Sequence, residues 1–217
     1  MSSPLRLVVM ASGRGSNLRS IVQAIDSGDC SAEVVALVTD KPGCEALSFA
    51  RERNIPTASL ALPKGGDRAA WNQELALMVS GFSPELVVLA GFMKIVSPDF
   101  LHGCGAKVIN VHPSLLPAFR GKDAPAQAIA AGVTLAGCTV HLVNEEVDAG
   151  AILAQAAVPV LPTDSAETLH QRIQVVEHKL FPLVIEWVSA GRLSLTAAPH
   201  FQQVRAVEGH LISPDLS

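Results

Sequence analysis

The order of apolar and polar positions changes its period repeatedly along the first half of the chain. Leu5–Ala11 and Pro84–Gly91 are apolar almost throughout, which is typical of central parallel strands that are covered on both faces. Ser16–Gly28 and Gly66–Phe82 instead carry apolar residues at helical spacing, and a glycine stands at or near the end of each. Strands that alternate with helices in this way predict a parallel sheet with helices on both faces.

In the second half of the chain, the pattern predicts strands that pair differently from the parallel strands of the first half. Gly137–Asn144 and Ala151–Val160 flank the acidic loop EEVDAG, an arrangement that predicts an antiparallel hairpin. Ser165–Gly191 is predicted to be the longest helix, kinked at Pro182, and residues 197–217 are predicted to form an irregular tail. The chain is therefore expected to be one domain, residues 1–217. Its α/β fold is expected to contain a Rossmann-like open twisted sheet, mostly parallel, with an antiparallel part in the C-terminal half.

Composition and charge narrow the classes of function. The chain has 20 acidic and 16 basic side chains, and the resulting formal charge of −4 argues against nucleic acid as the main partner. The apolar run near the N-terminus is too short for a signal-peptide core or a membrane span, so a cytoplasmic location without membrane contact is expected. The four cysteines form no C-x-x-C pair, which predicts scattered reduced thiols and no metal site.

A glycine-rich loop, SGRGSN, joins the first predicted strand to the first predicted helix. Amide groups at a helix N-terminus attract an anion, and Gly15, Ser16 and Asn17 would supply them. Leu18 stands where a dinucleotide fingerprint has its third glycine, and the loop lacks the Lys–Ser/Thr pair of a P-loop. A single phosphate therefore fits better than a dinucleotide or a triphosphate. The alternative is an ordinary tight turn with a serine or asparagine cap.

Asn110 and His112 stand two residues apart where the predicted strand AKVINVH ends. Side chains at this spacing share one face of a strand, and open α/β sheets build their sites at the carboxyl ends of strands. Asp148, in the EEVDAG loop, is a carboxylate that would favour a charged imidazole, and an asparagine amide can donate to a developing oxyanion. The pattern favours direct acyl transfer over a covalent acyl-enzyme. His112 as a satisfied core histidine is the alternative, and spacing alone leaves open whether Asp148 reaches it.

Several segments, SGRGSNL, LAGFMKIVS, NVHPSLLPAFRG, GCTVHLVNEEVDAG and VEHKLFP, lie in the same order as in a known family. Together they resemble the glycinamide ribonucleotide formyltransferases, which belong to the folate-dependent formyltransferases, over about residues 5–195. The resemblance implies transfer of a formyl group from 10-formyltetrahydrofolate, the cosubstrate, to glycinamide ribonucleotide in purine synthesis. It also implies small-molecule partners only, and a monomer or homodimer.

The resemblance also assigns residues to roles. It implies that Asn110, His112 and Asp148 are catalytic. It implies ribotide contacts for Gly15, Ser16, Asn17 and Glu177; without it, Glu177 would be interpreted as a solvated helix carboxylate. The residues that it implies for folate binding are Arg68, Met93, Lys94, Ile95, Val96, Asn110, Leu142 and Val147.

Two other functions are consistent with parts of the pattern. One is a formyltetrahydrofolate deformylase, a hydrolase with a similar glycine loop, which normally has an additional N-terminal regulatory domain; the chain length therefore favours the transferase. The other is a folate- or nucleotide-binding module, which would not need Asn110, His112 and Asp148. Pro125 departs from the family, because many members have a histidine in this place, in a mobile loop.

Overall fold

A computed structural model of the chain describes residues 3–195, 205–207 and 210–213. The chain divides into two compact units, Met1–Asn110 and Val111–Ser217. The boundary between them falls inside a single strand, Lys107–His112, which carries both polar side chains noted at its end.

The first unit contains a parallel sheet. Its strands are β1 (Leu5–Met10), β2 (Ala32–Thr39), β3 (Thr57–Ser59), β4 (Leu86–Leu89) and β5 (Lys107–His112). They lie in the order β3-β2-β1-β4-β5, and every neighbouring pair is parallel. The connecting helices are α1 (Ser16–Ser27), α2 (Glu45–Glu52), α3 (Arg68–Ser80) and α4 (Pro98–Gly103). The predicted alternation of strands and helices is confirmed.

The centre of this sheet is apolar because β1 and β4 are buried on both faces. Val8 and Val9 of β1 and Val87 and Val88 of β4 are fully buried, although neighbours in each strand point to opposite faces. Helix α4 was not predicted, since six residues are too few to show a helical period. Its sequence signal is a cap: the Ser97 hydroxyl accepts from the Phe100 N–H at 3.3 Å, and Pro98 follows in the first turn.

Gly15 is required by the packing of α1 against α2. Its φ of +74° lies in the left-handed region, and a Cβ on it would stand 2.7 Å from Ala46 Cβ. Side chains larger than hydrogen are thus excluded both by backbone conformation and by close approach.

Gly15→Ala is therefore expected to lower the free energy of unfolding by about 1–3 kcal/mol, from backbone strain together with the clash. Gly13→Ala is the matched control, because a Cβ at Gly13 meets nothing within 4 Å. Urea denaturation of both variants measures the difference. Equal midpoints for the two variants would show that Gly15 is not constrained in this way.

The second unit contains antiparallel strands. Its elements are α5 (Ala124–Ala131), β6 (Leu135–Leu142), β7 (Ile152–Pro159), α6 (Ala166–Ser189), β8 (Arg205–Val207) and β9 (His210–Ser213). The pairs β6–β7, β7–β9 and β8–β9 are all antiparallel. The predicted hairpin, and with it the fold class of a mostly parallel sheet with an antiparallel C-terminal part, is confirmed.

The prediction of an irregular tail is wrong where the structure describes it. Residues 205–207 and 210–213 are strands, and β9 pairs with β7 at Gln155–Ala157. Strands of three and four residues show too little alternation to be recognised, and their order comes from the edge of β7, which offers free backbone groups. The rest of the predicted tail lies outside the described residues.

The longest helix begins with a reciprocal cap. The Ser165 hydroxyl accepts from the Thr168 N–H, and the Thr168 hydroxyl accepts from the Ser165 N–H. Next to this cap, Asp164 accepts from the Arg172 guanidinium at 2.5 and 2.9 Å. The helix continues through Pro182, which lies buried in it. This start fixes the register in which α6 packs on β6 and β7.

Two expectations from composition can be compared with the structure directly. Cys30, Cys44, Cys104 and Cys138 are free thiols, as predicted. Among the described residues, no helix combines the length and the apolar character that crossing a bilayer would need.

Candidate active site

His112 ends β5 as a buried side chain with defined contacts on both ring nitrogens. Its side chain is 7% exposed. Nε2 lies 2.9 Å from the Phe119 carbonyl oxygen, and Nδ1 lies 3.3 Å from Asp148 Oδ2. Asn110 stands two residues earlier in the same strand, so that both side chains leave it on one face. The structure thus brings Asp148 to His112, which the sequence left open.

The loop between β6 and β7 brings Asp148 to this position through an unusual backbone. Asp148 itself has a φ of +50°, a conformation that aspartate tolerates better than most residues. A Cβ on Gly150 would lie 1.7 Å from the Leu142 carbonyl oxygen, so only glycine allows the loop to close there. The Asp148 carboxylate then accepts from the Gly121 N–H at 2.8 Å. The Asp148 carboxylate therefore contacts β5 through His112 and the following segment through Gly121.

The surroundings of Asp148 favour its anionic form. Burial alone raises the pKa of this carboxyl, but the contacts with His141, the Gly121 amide and the positive charge of His112 outweigh it. The pKa of Asp148 is therefore lowered from its ordinary value. Asp148 thus remains an anion across the neutral and mildly acidic range, in which a histidine changes charge.

His141 is a site residue that the sequence analysis missed. It lies near the end of β6 with its side chain 2% exposed, and its Nε2 is 3.6 Å from Asp148 Oδ1. Its Nδ1 is 2.8 Å from the Leu142 carbonyl oxygen. The signal available in the sequence was a single histidine inside the apolar strand GCTVHLVN, and such a residue is more often a satisfied core histidine.

The segment that follows β5 is held by side chains of the hairpin. The Thr139 hydroxyl donates to the Ser114 carbonyl at 2.7 Å and accepts from the Leu116 N–H at 3.0 Å. Gln155 donates from Nε2 to both the Leu116 carbonyl and the Thr139 hydroxyl. This buried network fixes the chain just before Phe119, whose carbonyl contacts His112. The position of that carbonyl is therefore set by β6 and β7.

The glycine loop of the first unit presents the start of α1 without a side-chain cap. Gly15 occupies the cap position and has no side chain with which to accept from the first-turn amides. Beside the loop lies a cavity of about 520 Å³ lined by Ser12, Gly13, Arg14 and the segment from Asp40 to Glu45. The Ser12 hydroxyl donates to Asp40 at 2.5 Å and accepts from the Met93 N–H at 2.8 Å. A loop with uncapped amides and nearby Arg14 is suited to an anion.

Arg68 contacts the Met93–Val96 segment. Its guanidinium donates to the Ile95 carbonyl at 2.8 Å. Met93 and Ile95 are 70% and 58% exposed, whereas Val96 is buried. Two large apolar side chains thus face solvent beside a positive charge, an arrangement suited to a flat, partly apolar ligand that carries carboxylates. Lys94 lies between them and is partly buried.

The remaining predicted residues lie in the second unit. Glu177 of α6 is only 4% exposed, which excludes the solvated-carboxylate alternative. Burial, together with the negative charge of Glu177, raises the pKa of the Cys138 thiol, so that Cys138 is an inert neutral thiol. Leu142 is partly buried and Val147 is 46% exposed in the loop that carries Asp148.

His112, His141 and Asp148 are also three side chains of types that bind metals. Within the residues that the structure describes, however, no group of His, Cys, Asp or Glu has an arrangement that could hold a metal ion. In the structure, the two imidazoles lie on either side of the Asp148 carboxylate, at 3.3 and 3.6 Å, and form an acid–base cluster.

Known proteins resemble this chain over most of its length. The model of the family described as formyl transferase matches residues 5–185. A phosphoribosylglycinamide formyltransferase of Mycobacterium tuberculosis is 46% identical over 82% of this chain and 82% of its own length. The trifunctional purine biosynthetic protein adenosine-3 of Bos taurus is 40% identical over 88% of this chain, and the chain spans about a fifth of that protein's length, as it does for the trifunctional proteins of Gallus gallus and Homo sapiens.

Solved structures show the same likeness. The glycinamide ribonucleotide transformylase 1 of Symbiobacterium toebii superposes with a TM-score of 0.85 at 36% identity, over 91% of this chain and 93% of that one. A formyltetrahydrofolate deformylase of Pseudomonas syringae has a TM-score of 0.83 at 27% identity, over 91% of this chain and 65% of that one.

Proposed function

The chain belongs to the formyl transferase family, and from this premise we propose that it transfers a formyl group from 10-formyltetrahydrofolate to the amino group of glycinamide ribonucleotide, a step of de novo purine biosynthesis. The observation that carries the proposal is the buried His112–Asp148 pair at the end of β5. The formyl-transfer relatives that cover most of this chain support the choice of substrate.

The proposed reaction proceeds through a tetrahedral intermediate. The neutral amine of the ribotide attacks the formyl carbon, and a new C–N bond forms while the carbonyl oxygen becomes an oxyanion. Asn110 and protonated His112 donate to that oxyanion. The intermediate then collapses with cleavage of the bond between the formyl carbon and N10 of the folate. The proton lost by the incoming nitrogen reaches the departing nitrogen through His112 or through a water ordered by Asp148.

The anionic state of Asp148 explains why it stands beside His112. A carboxylate that stays ionised favours the protonated imidazole, and the protonated imidazole is the form that donates to an oxyanion. Phe119 and Gly121 supply a carbonyl and an N–H that hold the two side chains in place. The pair is therefore organised before substrate binds, which is the condition for electrostatic stabilisation of a transition state.

Separate surfaces are proposed for the two substrates. The ribose phosphate of the ribotide is assigned to the uncapped start of α1, through Gly15, Ser16 and Asn17, and its ribose to Glu177. The folate is assigned to the surface around Arg68, the end of β5 and the β6–β7 loop. The residues are Arg68, Met93, Lys94, Ile95, Val96, Asn110, Leu142 and Val147. The N-terminal half thus supplies the phosphate site, whereas the residues assigned to the folate come from both halves.

The proposal extends to the setting of the reaction. Both substrates are small and soluble, so we place the reaction in the cytoplasm, with the chain acting as a monomer or homodimer. It involves no nucleic acid or membrane. It also requires no metal ion, because amide donors and an imidazole supply the stabilisation that a Lewis acid would otherwise provide.

The decisive experiment compares purified protein and 10-formyltetrahydrofolate with and without glycinamide ribonucleotide. Tetrahydrofolate appearing only with the ribotide, at a rate saturable in both substrates, is the expected result. Formate released at the same rate without the ribotide would contradict the transferase. It would instead assign the hydrolase activity of the deformylase that is the more distant structural neighbour.

A further inference from the structure

The Asp148 carboxylate faces a second imidazole on the side opposite His112. Its Oδ2 lies 3.3 Å from His112 Nδ1 and accepts from the Gly121 N–H, whereas its Oδ1 lies 3.6 Å from His141 Nε2. The two oxygens are thus divided between two histidines from different strands. The proposed reaction uses only the first of these histidines.

In each imidazole, each of the two ring nitrogens has its own oxygen atom beside it. His112 Nε2 meets the Phe119 carbonyl and His141 Nδ1 meets the Leu142 carbonyl, at 2.9 and 2.8 Å. A carbonyl oxygen can only accept a hydrogen bond, so each of these nitrogens carries the proton of a neutral ring. The second nitrogen of a neutral ring would then direct a lone pair at the anionic Asp148, which is repulsive. An added proton on either ring converts that repulsion into attraction.

His141 is placed to restrain the carboxylate. Asp148 directly follows the exposed residues Glu146 and Val147 in its loop and has a left-handed backbone conformation. Rotation about its Cα–Cβ bond would turn Oδ2 away from His112. By contrast, His141 projects from strand β6, is almost completely buried, and is fixed at its other nitrogen by the Leu142 carbonyl.

We propose that His141 is a positioning residue of the formyl-transfer site, which holds Asp148 through Oδ1 so that Oδ2 stays directed at His112. The inference rests on the proposed function of the site. His141 acts through Asp148 and touches no reacting atom. Loss of its contact is therefore expected to lower kcat and to leave the KM of both substrates nearly unchanged.

Three substitutions separate this role from simple filling of the core. The amide nitrogen of glutamine reaches the place of His Nε2, so His141→Gln keeps a donor toward Asp148. His141→Asn keeps a donor only at the place of Nδ1, toward Leu142, and His141→Met keeps the volume without any donor.

Glutamine is expected to retain kcat within about fivefold of the wild type, while asparagine and methionine lose about 10- to 100-fold, the size of effect seen when a residue that orients a functional group is removed. The KM for each substrate should stay within about threefold in all of them. Circular dichroism and thermal melts identify the variants that are folded. The comparison with glutamine requires only that either the asparagine or the methionine variant is folded.

A double-mutant cycle tests the route of the effect. In an Asp148→Asn background, His141→Asn is expected to lower kcat by less than about twofold, because the residue through which it acts has already lost its charge. A full additional loss in that background would overturn the proposal. So would equal kcat values for the three variants, or failure of both the Asn and Met variants to fold while the Gln variant folds.

The wild-type assay distinguishes this inference from the proposed function. No transfer of the formyl group to glycinamide ribonucleotide by the wild type contradicts the proposed function itself. Normal transfer by the wild type together with unchanged kcat in all His141 variants contradicts only the role of His141.

Discussion

Replacing His112 by alanine is expected to lower kcat by about 10²- to 10⁴-fold, because in the proposed reaction the imidazole both donates to the oxyanion and moves a proton in the transition state. Its contribution to substrate binding in the ground state is small, so the Kd of the folate should change by less than about threefold. Stopped-flow kinetics and a fluorescence titration of folate measure the two quantities separately.

His102→Ala is the control for the loss of a histidine as such, because His102 is exposed on α4. It should leave both kcat and Kd at their wild-type values. Turnover near the wild-type rate in the His112 variant would remove His112 from the chemical step. If the Kd of the folate rose by the same factor as kcat fell, His112 would be assigned to substrate binding in the ground state instead.

Asp148→Asn is expected to lower kcat by about 10²-fold and to change the pH profile, since it removes the anion that favours a protonated imidazole at the site. The pKa of Asp148 is itself lowered, so its own protonation does not shape the profile near neutral pH. If protonated His112 is the working form, activity disappears as pH rises. Without the anion, this alkaline limb should begin at lower pH.

The control for this prediction is Glu146→Gln, which removes an exposed negative charge two residues away in the same loop. Its profile of kcat against pH should coincide with that of the wild type. An alkaline limb that stays in place in Asp148→Asn would contradict electrostatic support of His112 by Asp148. A shift of the same size in both variants would indicate a general field effect of the loop.

The fold was predictable where the apolar pattern is long enough to have a period. The runs around Val8 and Val88 could only be central strands, and the glycine-flanked turn between β6 and β7 indicated a hairpin. Helix α4 and strands β8 and β9 were missed because three to six residues contain at most two periods. Helix α4 depends on the cap at Ser97, and strands β8 and β9 depend on the free edge of β7. Such contacts leave no periodic pattern in the sequence.

The site was predictable only for residues that carry their own signal. Asn110 and His112 are polar residues at the end of an apolar strand, and a motif identified Asp148. His141 has no such signal, because its role depends on a 3.6 Å contact with a loop seven residues later. The network through Thr139 and Gln155 was equally hidden, since a hydroxyl or amide within a strand does not show what it meets across the hairpin.

Two of the atoms that hold His112 and Asp148 belong to the main chain, namely the Phe119 carbonyl oxygen and the Gly121 N–H. Alanine substitutions at residues 119, 120 and 122 would leave both atoms in place, and alanine at Gly121, where φ is +81°, would add strain without removing the N–H. Comparison of natural sequences has the same limit, because side chains can drift here without altering either contact. Only backbone chemistry, such as an amide-to-ester exchange at Gly121 that deletes the N–H donor to Asp148, would reveal what this stretch contributes.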